Sequence, residues 1–214
     1  QPMFQPYPSD QTFYGYFNDF MTYNSGDWTI TTTEAGGGDA SEAVTSSAGG
    51  ALLITNDAAD NDADFFNLKG EGFKLSKSKK AYFSARFKVS DATQSDFVMG
   101  LQITDTTPLA VSDGIFFIKD DGDTNLDFIV EKDSASTDTT AIHTMEDDTF
   151  ITASFFIDPD RDAVYYSINN GAPVKVANTY LPDDEELTIS FGIQNGEAAA
   201  KTMTIDYVTA MVER

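Results

Sequence analysis

The sequence predicts an all-β fold, a two-sheet antiparallel sandwich, and three observations carry that expectation. Apolar and polar residues alternate at period two along much of the 214-residue chain, as in strands with one buried face. Turn-forming dipeptides and glycine-rich stretches break these runs at short spacing. Helical periodicity is never sustained beyond about two turns.

Composition agrees. Hydrophobic residues make up 41% of the chain and aromatics 13%, mostly 17 Phe and 9 Tyr, enough for a full core and suited to strands. No internal repeat or linker divides the sequence, and an all-β sandwich of this length can be a single domain. We expect residues 13–214 to form that domain and residues 1–12 to form an extended arm.

Taken in order, the opening QPMFQPYPSDQ is the arm. Pro2, Pro6 and Pro8 exclude a helix and remove ladder donors, so Met3, Phe4 and Tyr7 project from a stiff backbone suited to docking on a partner. Phe13 to Phe20 reads as the first strand. TEAGGGDASEA and SSAGGA read as loops, and NDAADNDADF and PDDEEL as at most short helices. DFFNLK, with Phe65 and Phe66, and GIFFIK, with Phe116 and Phe117, are apolar on both sides, fitting a sandwich interior or a covered interface. In AYFSARFKV, Phe83, Ala85, Phe87 and Val89 face one way while Tyr82, Ser84, Arg86 and Lys88 face the other. FITASFFI sets Ile151, Ala153, Phe155 and Ile157 in one row, and LTISFGIQ does the same with Leu187, Ile189, Phe191 and Ile193. SASTDTT, residues 134–140, reads as an exposed loop. Asp158-Pro159-Asp160 and Asn170-Gly171 mark tight turns. The count is roughly a dozen strands or more, as in a two-sheet sandwich.

Charge limits the partners. Thirty-five acidic residues against 13 basic ones give a net charge of −22 and a pI near 4.1. Such a field repels nucleic acid and anionic lipid, so neither nucleic acid nor membrane is expected as a partner. One basic cluster stands out, KLSKSKKAYF, with Lys74, Lys77, Lys79 and Lys80. It suits an acidic surface on a neighbouring subunit, another copy of this chain included; lysines before a strand also blunt edge-to-edge aggregation.

Catalytic motifs are sparse. With no cysteine there is no disulfide, thiolate metal site or cysteine nucleophile. The lone histidine, His143, lies in TTAIHTMEDD without a Gly-x-Ser-x-Gly nucleophile motif. Two acidic clusters have the hard-oxygen chemistry of calcium ligands. One holds Asp60, Asp62 and Asp64; it imitates an EF-hand start with Glu71 at the twelfth position, but has Phe65 where the loop demands glycine. The other holds Asp120, Asp121 and Asp123 and equally reads as an acidic hairpin turn. No cofactor is expected; calcium is the one ion these clusters suit.

The strand succession resembles the concanavalin A-like jelly rolls. The resemblance rests on FNDFMTYNSGDWTITTT, on AYFSARFKVSDATQSDFVMGLQIT and on FGIQNGEAAAKTMTIDYVTAMVE, and spans Phe13 to Glu213. It implies a jelly-roll sandwich. Retaining glycosidases of that fold carry Glu-x-Asp-x-Glu on one strand, and this motif is absent; Glu131-Lys132-Asp133 stops one acid short. A narrower resemblance, carried by GDWTITTTEAG, DNDADFFNLKGEGFKL and IDYV, is to virion structural proteins of tailed bacteriophages, particularly from marine hosts.

That resemblance implies a non-enzymatic capsid decoration protein on the virion exterior. It would bind the major capsid protein or other virion proteins, also as a homo-oligomer, through Phe4, Tyr7, Lys77, Lys79 and Lys80. The alternative is a carbohydrate-binding, lectin-like module of a tail or fibre, with Tyr82, Tyr165, Tyr207 and Trp28 as stacking residues. A glycoside hydrolase, requiring two carboxylates in a cleft, comes third.

Overall fold

The computed structural model describes residues 12–214, and the Phe4 and Tyr7 contacts lie outside this range. Alternation sorts the strands into two antiparallel sheets of eight. The first, here the terminal sheet, contains both the first and last strands. Its order is β14 (Val174–Val176), β13 (Ala163–Ile168), β12 (Ile151–Asp158), β7 (Ala81–Val89), β16 (Thr202–Glu213), β4 (Leu52–Thr55) and β3 (Ser41–Val44). Strand β1 (Phe13–Asn18) pairs with the second half of β16, which β4 leaves free.

The facing sheet runs β11 (Ala135–Thr144), β10 (Asn125–Lys132), β9 (Gly114–Lys119), β8 (Ser95–Gln102), β15 (Glu186–Asn195), β5 (Ala63–Leu68) and β2 (Trp28–Thr33). The short β6 (Phe73–Lys74) pairs with the start of β15. No α-helix occurs among the described residues. NDAADNDADF forms a turn leading into β5, and PDDEEL forms a bend leading into β15.

The three predicted inward rows all line the interior: Phe83 to Val89, Ile151 to Ile157 and Leu187 to Ile193 are buried. The densest packing is aromatic. The Phe191 ring stacks on Phe66 at 5.2 Å and meets Trp28 at 5.0 Å and Phe20 at 6.2 Å, the last two edge-on. These are favoured geometries for rings that also bury large apolar areas.

Phe65 and Phe116 account for the runs that are apolar on both sides. They lie on the outer side of the facing sheet, with Ala63, Val98 and Val111, in a second buried cluster. The rings lie flat because glycine stands beneath each. A Cβ at Gly192 would come 2.5 Å from the Phe65 ring, and one at Gly114 would come 2.8 Å from the Phe116 ring. The β8–β9 connection covers this cluster, packing Ile103, Leu109 and Val111 against it. Gln102 Nε2 donates to the Pro108 carbonyl at 2.9 Å, and the Thr104 N–H donates to Glu71 Oε1 at 2.6 Å, pinning the segment down.

Three local expectations change. SASTDTT is not a loop but most of edge strand β11, which turns back from β10 at Asp133 and Ser134, both with positive φ; its Ser and Thr side chains tolerate a half-exposed edge. In the β13–β14 hairpin the left-handed pair is Asn169-Asn170, closed by the Gly171 N–H donating to the Ile168 carbonyl at 2.9 Å, so the turn sits one residue earlier than Asn170-Gly171. Trp28 is 2% exposed and belongs to the core, unavailable for stacking on a ligand.

Removing the Phe191 ring leaves a cavity among three other aromatics. Phe191→Ala is expected to lower unfolding stability by about 3–5 kcal/mol and Phe191→Leu by clearly less, as measured by urea denaturation.

Candidate functional site

The two outer faces of the sandwich differ in chemistry. On the terminal sheet, alternation turns Tyr82, Ser84, Arg86 and Lys88 of β7 outward, and register aligns them with their neighbours. Tyr165, Phe156, Tyr82 and Met211 fall opposite one another on four successive strands, and Lys175 of β14 continues the row past Tyr165. Phe156 and Tyr165 stack at 4.8 Å with 9° between their planes, and Tyr82 is 37% exposed.

The next row is made of hydroxyls. Ser167, Ser154, Ser84 and Thr209 lie opposite one another. Ser154 Oγ donates to Ser84 Oγ at 2.8 Å, and Ser84 Oγ lies 3.3 Å from the Tyr207 hydroxyl. Tyr207 points outward only because a bulge at Asp206 shifts the register between Ile205 and Tyr207. Beyond it, Arg86 pairs with Asp206 at 2.6 Å and lies 4.2 Å over the Phe150 ring. The face therefore grades from aromatic to hydroxyl to cationic along the strand direction.

A cavity of 410 Å³ opens at the aromatic end, floored by Phe13, Tyr82, Phe156 and Met211 and rimmed by Lys80, Asp158, Asp160 and Arg161. Its volume lies in the range of small-molecule sites. The predicted Asp158-Pro159-Asp160 turn builds the rim. Asp158 Oδ1 accepts the Asp160 N–H at 3.0 Å and its Oδ2 pairs with Arg161 at 2.5 Å. Burial pushes the Asp158 carboxyl up, but the Arg161 bond and charge outweigh it and hold the group below the usual carboxylate range. Lys80 faces Asp160 across 3.8 Å, both well exposed.

The facing sheet presents a different groove, of 280 Å³, where its outer side is not covered. Phe116, Ile118, Ile129 and Leu109 form the floor, and Asp120, Asp127, Glu131 and Asp138 supply the carboxylates. No basic side chain lines it. Burial lifts the Asp127 and Glu131 carboxyls above their ordinary values, and neighbouring acids, Asp138 among them, add to the effect. The outward positions of β10 read Asp127, Ile129, Glu131, so an apolar residue separates the two carboxylates along the strand. His143 is half-buried on β11, opposite Leu126.

Of the calcium candidates, Asp120 and Asp123 line one pocket of about 200 Å³ with Asn125 and Asp127. Asp60 is exposed on a turn. Asp62 uses both oxygens on backbone donors, Ala35 N–H at 2.6 Å and Ala59 N–H at 3.1 Å. Asp64 is fully buried and takes the Thr32 hydroxyl at 2.7 Å. Asp123 caps the backbone of Asn125, the Asp121 N–H donates to Asp96, and Asp120 opens on the groove. Among the described residues, no group of three or more acidic or histidine side chains is arranged to hold a metal ion.

No family model and no curated protein matches the chain. Solved structures do. A protein of unknown function from Shewanella oneidensis MR-1 is 17% identical, covering 95% of this chain and 87% of its own with a TM-score of 0.65. An endo-1,3-beta-glucanase from Streptomyces sioyaensis is 13% identical, covering 97% and 98% with a TM-score of 0.64. The carbohydrate recognition domain of Emp46p, in its potassium-bound form, is 12% identical, covering 90% and 94% with a TM-score of 0.60. The fold is thus the expected concanavalin A-like jelly roll. The decoration reading draws no support from these likenesses.

Asp64 gives a pH signature. Burial raises its carboxyl to about 7 from 3.8, and Glu42 and Glu34 reinforce this although the Thr32 hydroxyl bond opposes it. A carboxyl whose pKa is higher folded than unfolded contributes stability at low pH and loses it as pH rises through the folded value. Asp64→Asn removes that loss, so its melting temperature relative to the parent is expected to improve progressively from pH 3.8 to about 7; a gap independent of pH would contradict the assignment.

Proposed function

We propose that this protein is a non-enzymatic carbohydrate-binding module whose site is the outer face of the terminal sheet. One observation carries the reading: Tyr82, Phe156 and Tyr165 are brought into one outward row beside an open cavity with charged walls. Pyranose rings present apolar C–H faces that pack on aromatic side chains, and their hydroxyls need donors and acceptors close by. The rim supplies both, with Lys80 and Arg161 as donors and Asp158 and Asp160 as acceptors. The hydroxyl row of Ser154, Ser84 and Tyr207 extends the polar contacts along the face.

The structural likeness to a carbohydrate recognition domain and a glucanase supports this reading at the level of fold. The non-enzymatic part rests on β10, where Ile129 separates Asp127 from Glu131, and on the missing Glu-x-Asp-x-Glu motif.

The test is affinity electrophoresis against a panel of immobilised polysaccharides. At least one polysaccharide should retard the protein, and Tyr82→Ala and Phe156→Ala should each weaken that retardation by about tenfold or more, the loss of roughly 1.4 kcal/mol expected for a stacking contact. Asp138→Asn, in the opposite groove, should leave it unchanged. Retardation that depends on Asp138 and ignores Tyr82 would place the site on the facing sheet.

A further inference from the structure

The lysine cluster singled out in the sequence lies next to this cavity, and the carbohydrate reading uses only its Lys80. Lys80 is on the cavity rim. Lys79 and Lys77 precede it on a turn closed by the Lys79 N–H donating to the Ser76 carbonyl at 3.3 Å and by the Ser78 N–H donating to Ser76 Oγ at 3.1 Å. The turn is therefore built, and it presents its side chains from a fixed backbone. Lys74, at its start, is tied to Glu186 at 3.4 Å. Lys77 and Lys79 form no ion pair with any described residue, and the Lys80–Asp160 contact is long and exposed. Such a contact contributes little and exchanges readily for another anion.

Cations gather on this side of the molecule. Of the 13 basic residues, Lys80, Arg86, Lys88, Arg161 and Lys175 lie on the outer face of the terminal sheet or on its rim, the first four each facing an acid, and Lys77 and Lys79 stand on the turn that leads into β7. The groove on the facing sheet has none. In a chain of net charge −22, an anionic ligand is repelled from most of the surface, and Lys77 and Lys79 offer it ammonium groups with no ion-pair partner among the described residues, with Asp183 the acid nearest in effect to Lys77. Screening confines both effects to about 8 Å at physiological salt, so what a bound ligand meets is the local cluster.

We propose that the glycan is acidic, a polysaccharide bearing carboxylate or sulfate groups, with one sugar ring in the cavity against Tyr82 and Phe156. The neighbouring residues of the chain run past Lys80 over Lys79 and Lys77, where their anions meet the ammonium groups. This rests on the carbohydrate reading of the same site. The aromatic floor supplies affinity for the ring, and the lysines select for charge.

De-esterified polygalacturonate and its fully methyl-esterified form share a backbone and differ in charge, so their comparison isolates the second element. Both are run in affinity electrophoresis beside alginate, a sulfated galactan and the neutral glucan laminarin, on the parent protein, on Lys77→Gln/Lys79→Gln/Lys80→Gln and on Tyr82→Ala. Lys77 and Lys80 are exposed and Lys79 is half-buried, and an unchanged melting temperature verifies the fold of the triple variant. The expected result is retardation by one or more acidic polymers, at least about tenfold stronger than by the methyl ester or laminarin. The triple variant should lose that preference, and Tyr82→Ala should weaken binding while keeping the preference. Equal retardation by charged and esterified chains, or binding of laminarin alone, would overturn the acidic assignment and leave the carbohydrate reading standing. No retardation by any polymer would overturn both. Self-association of the parent that disappears in the triple variant, without polymer binding, would assign the lysines to a second copy of this chain.

Discussion

A two-layer sandwich has two outer faces, and this chain covers much of one of them itself. Phe65, Val98 and Phe116 make the facing sheet apolar on both sides, and exposing such a cluster to water would be costly. The β8–β9 connection answers that demand, laying Ile103, Leu109 and Val111 over the cluster, with Gln102 and Glu71 holding the segment in place. Gly114 and Gly192 make the covering thin enough to fit, because each leaves bare backbone beneath a ring. What remains open on that side is a short acidic groove. The fully available face is the outer side of the terminal sheet, and the functional proposals follow from that division.

The open face is organised by register more than by any single residue. Antiparallel pairing places cross-strand neighbours close together on one side, so four strands each contribute one outward residue to the aromatic row and one to the hydroxyl row. The bulge at Asp206 has two consequences from one inserted residue. It turns Tyr207 from the core side to the outer side, and it leaves the Asp206 carboxylate free to hold Arg86 at 2.6 Å. The charged rim comes from the short turn after β12, where Asp158 is both the cap of the turn and the partner of Arg161.

Much of this was legible in the sequence because period-two alternation is a local signal. Phe83, Phe87, Phe155 and Phe191 declared their inward side, and Tyr82 and Tyr165 their outward side, without knowledge of the partner strands. What alternation cannot give is register, so the meeting of Tyr82, Phe156 and Tyr165 in one row had to come from the structure. Trp28 was misplaced because WTITTT alternates without saying which of its sides is inside. SASTDTT lacks apolar residues, and edge strand β11 needs few, so composition pointed to a loop. Phe156, which stacks on Tyr165, was passed over because it stands beside Phe155 in a run that looks uniformly apolar; the alternation of FITASFFI was the signal that could have found it. The acidic turns looked like cation ligands on composition alone, and the structure shows Asp62 and Asp123 occupied with backbone N–H groups.

The central claim is that ligand meets the terminal sheet and not the facing one. It is tested most directly by backbone amide chemical-shift mapping of the labelled protein titrated with a soluble oligosaccharide from the polymer that binds. The account predicts saturable shifts at Tyr82, Phe156, Tyr165 and the Ser76–Lys80 turn, with the amides of Ile129, Glu131 and Asp138 unmoved. Shifts confined to the acidic groove, with the aromatic row silent, would contradict it.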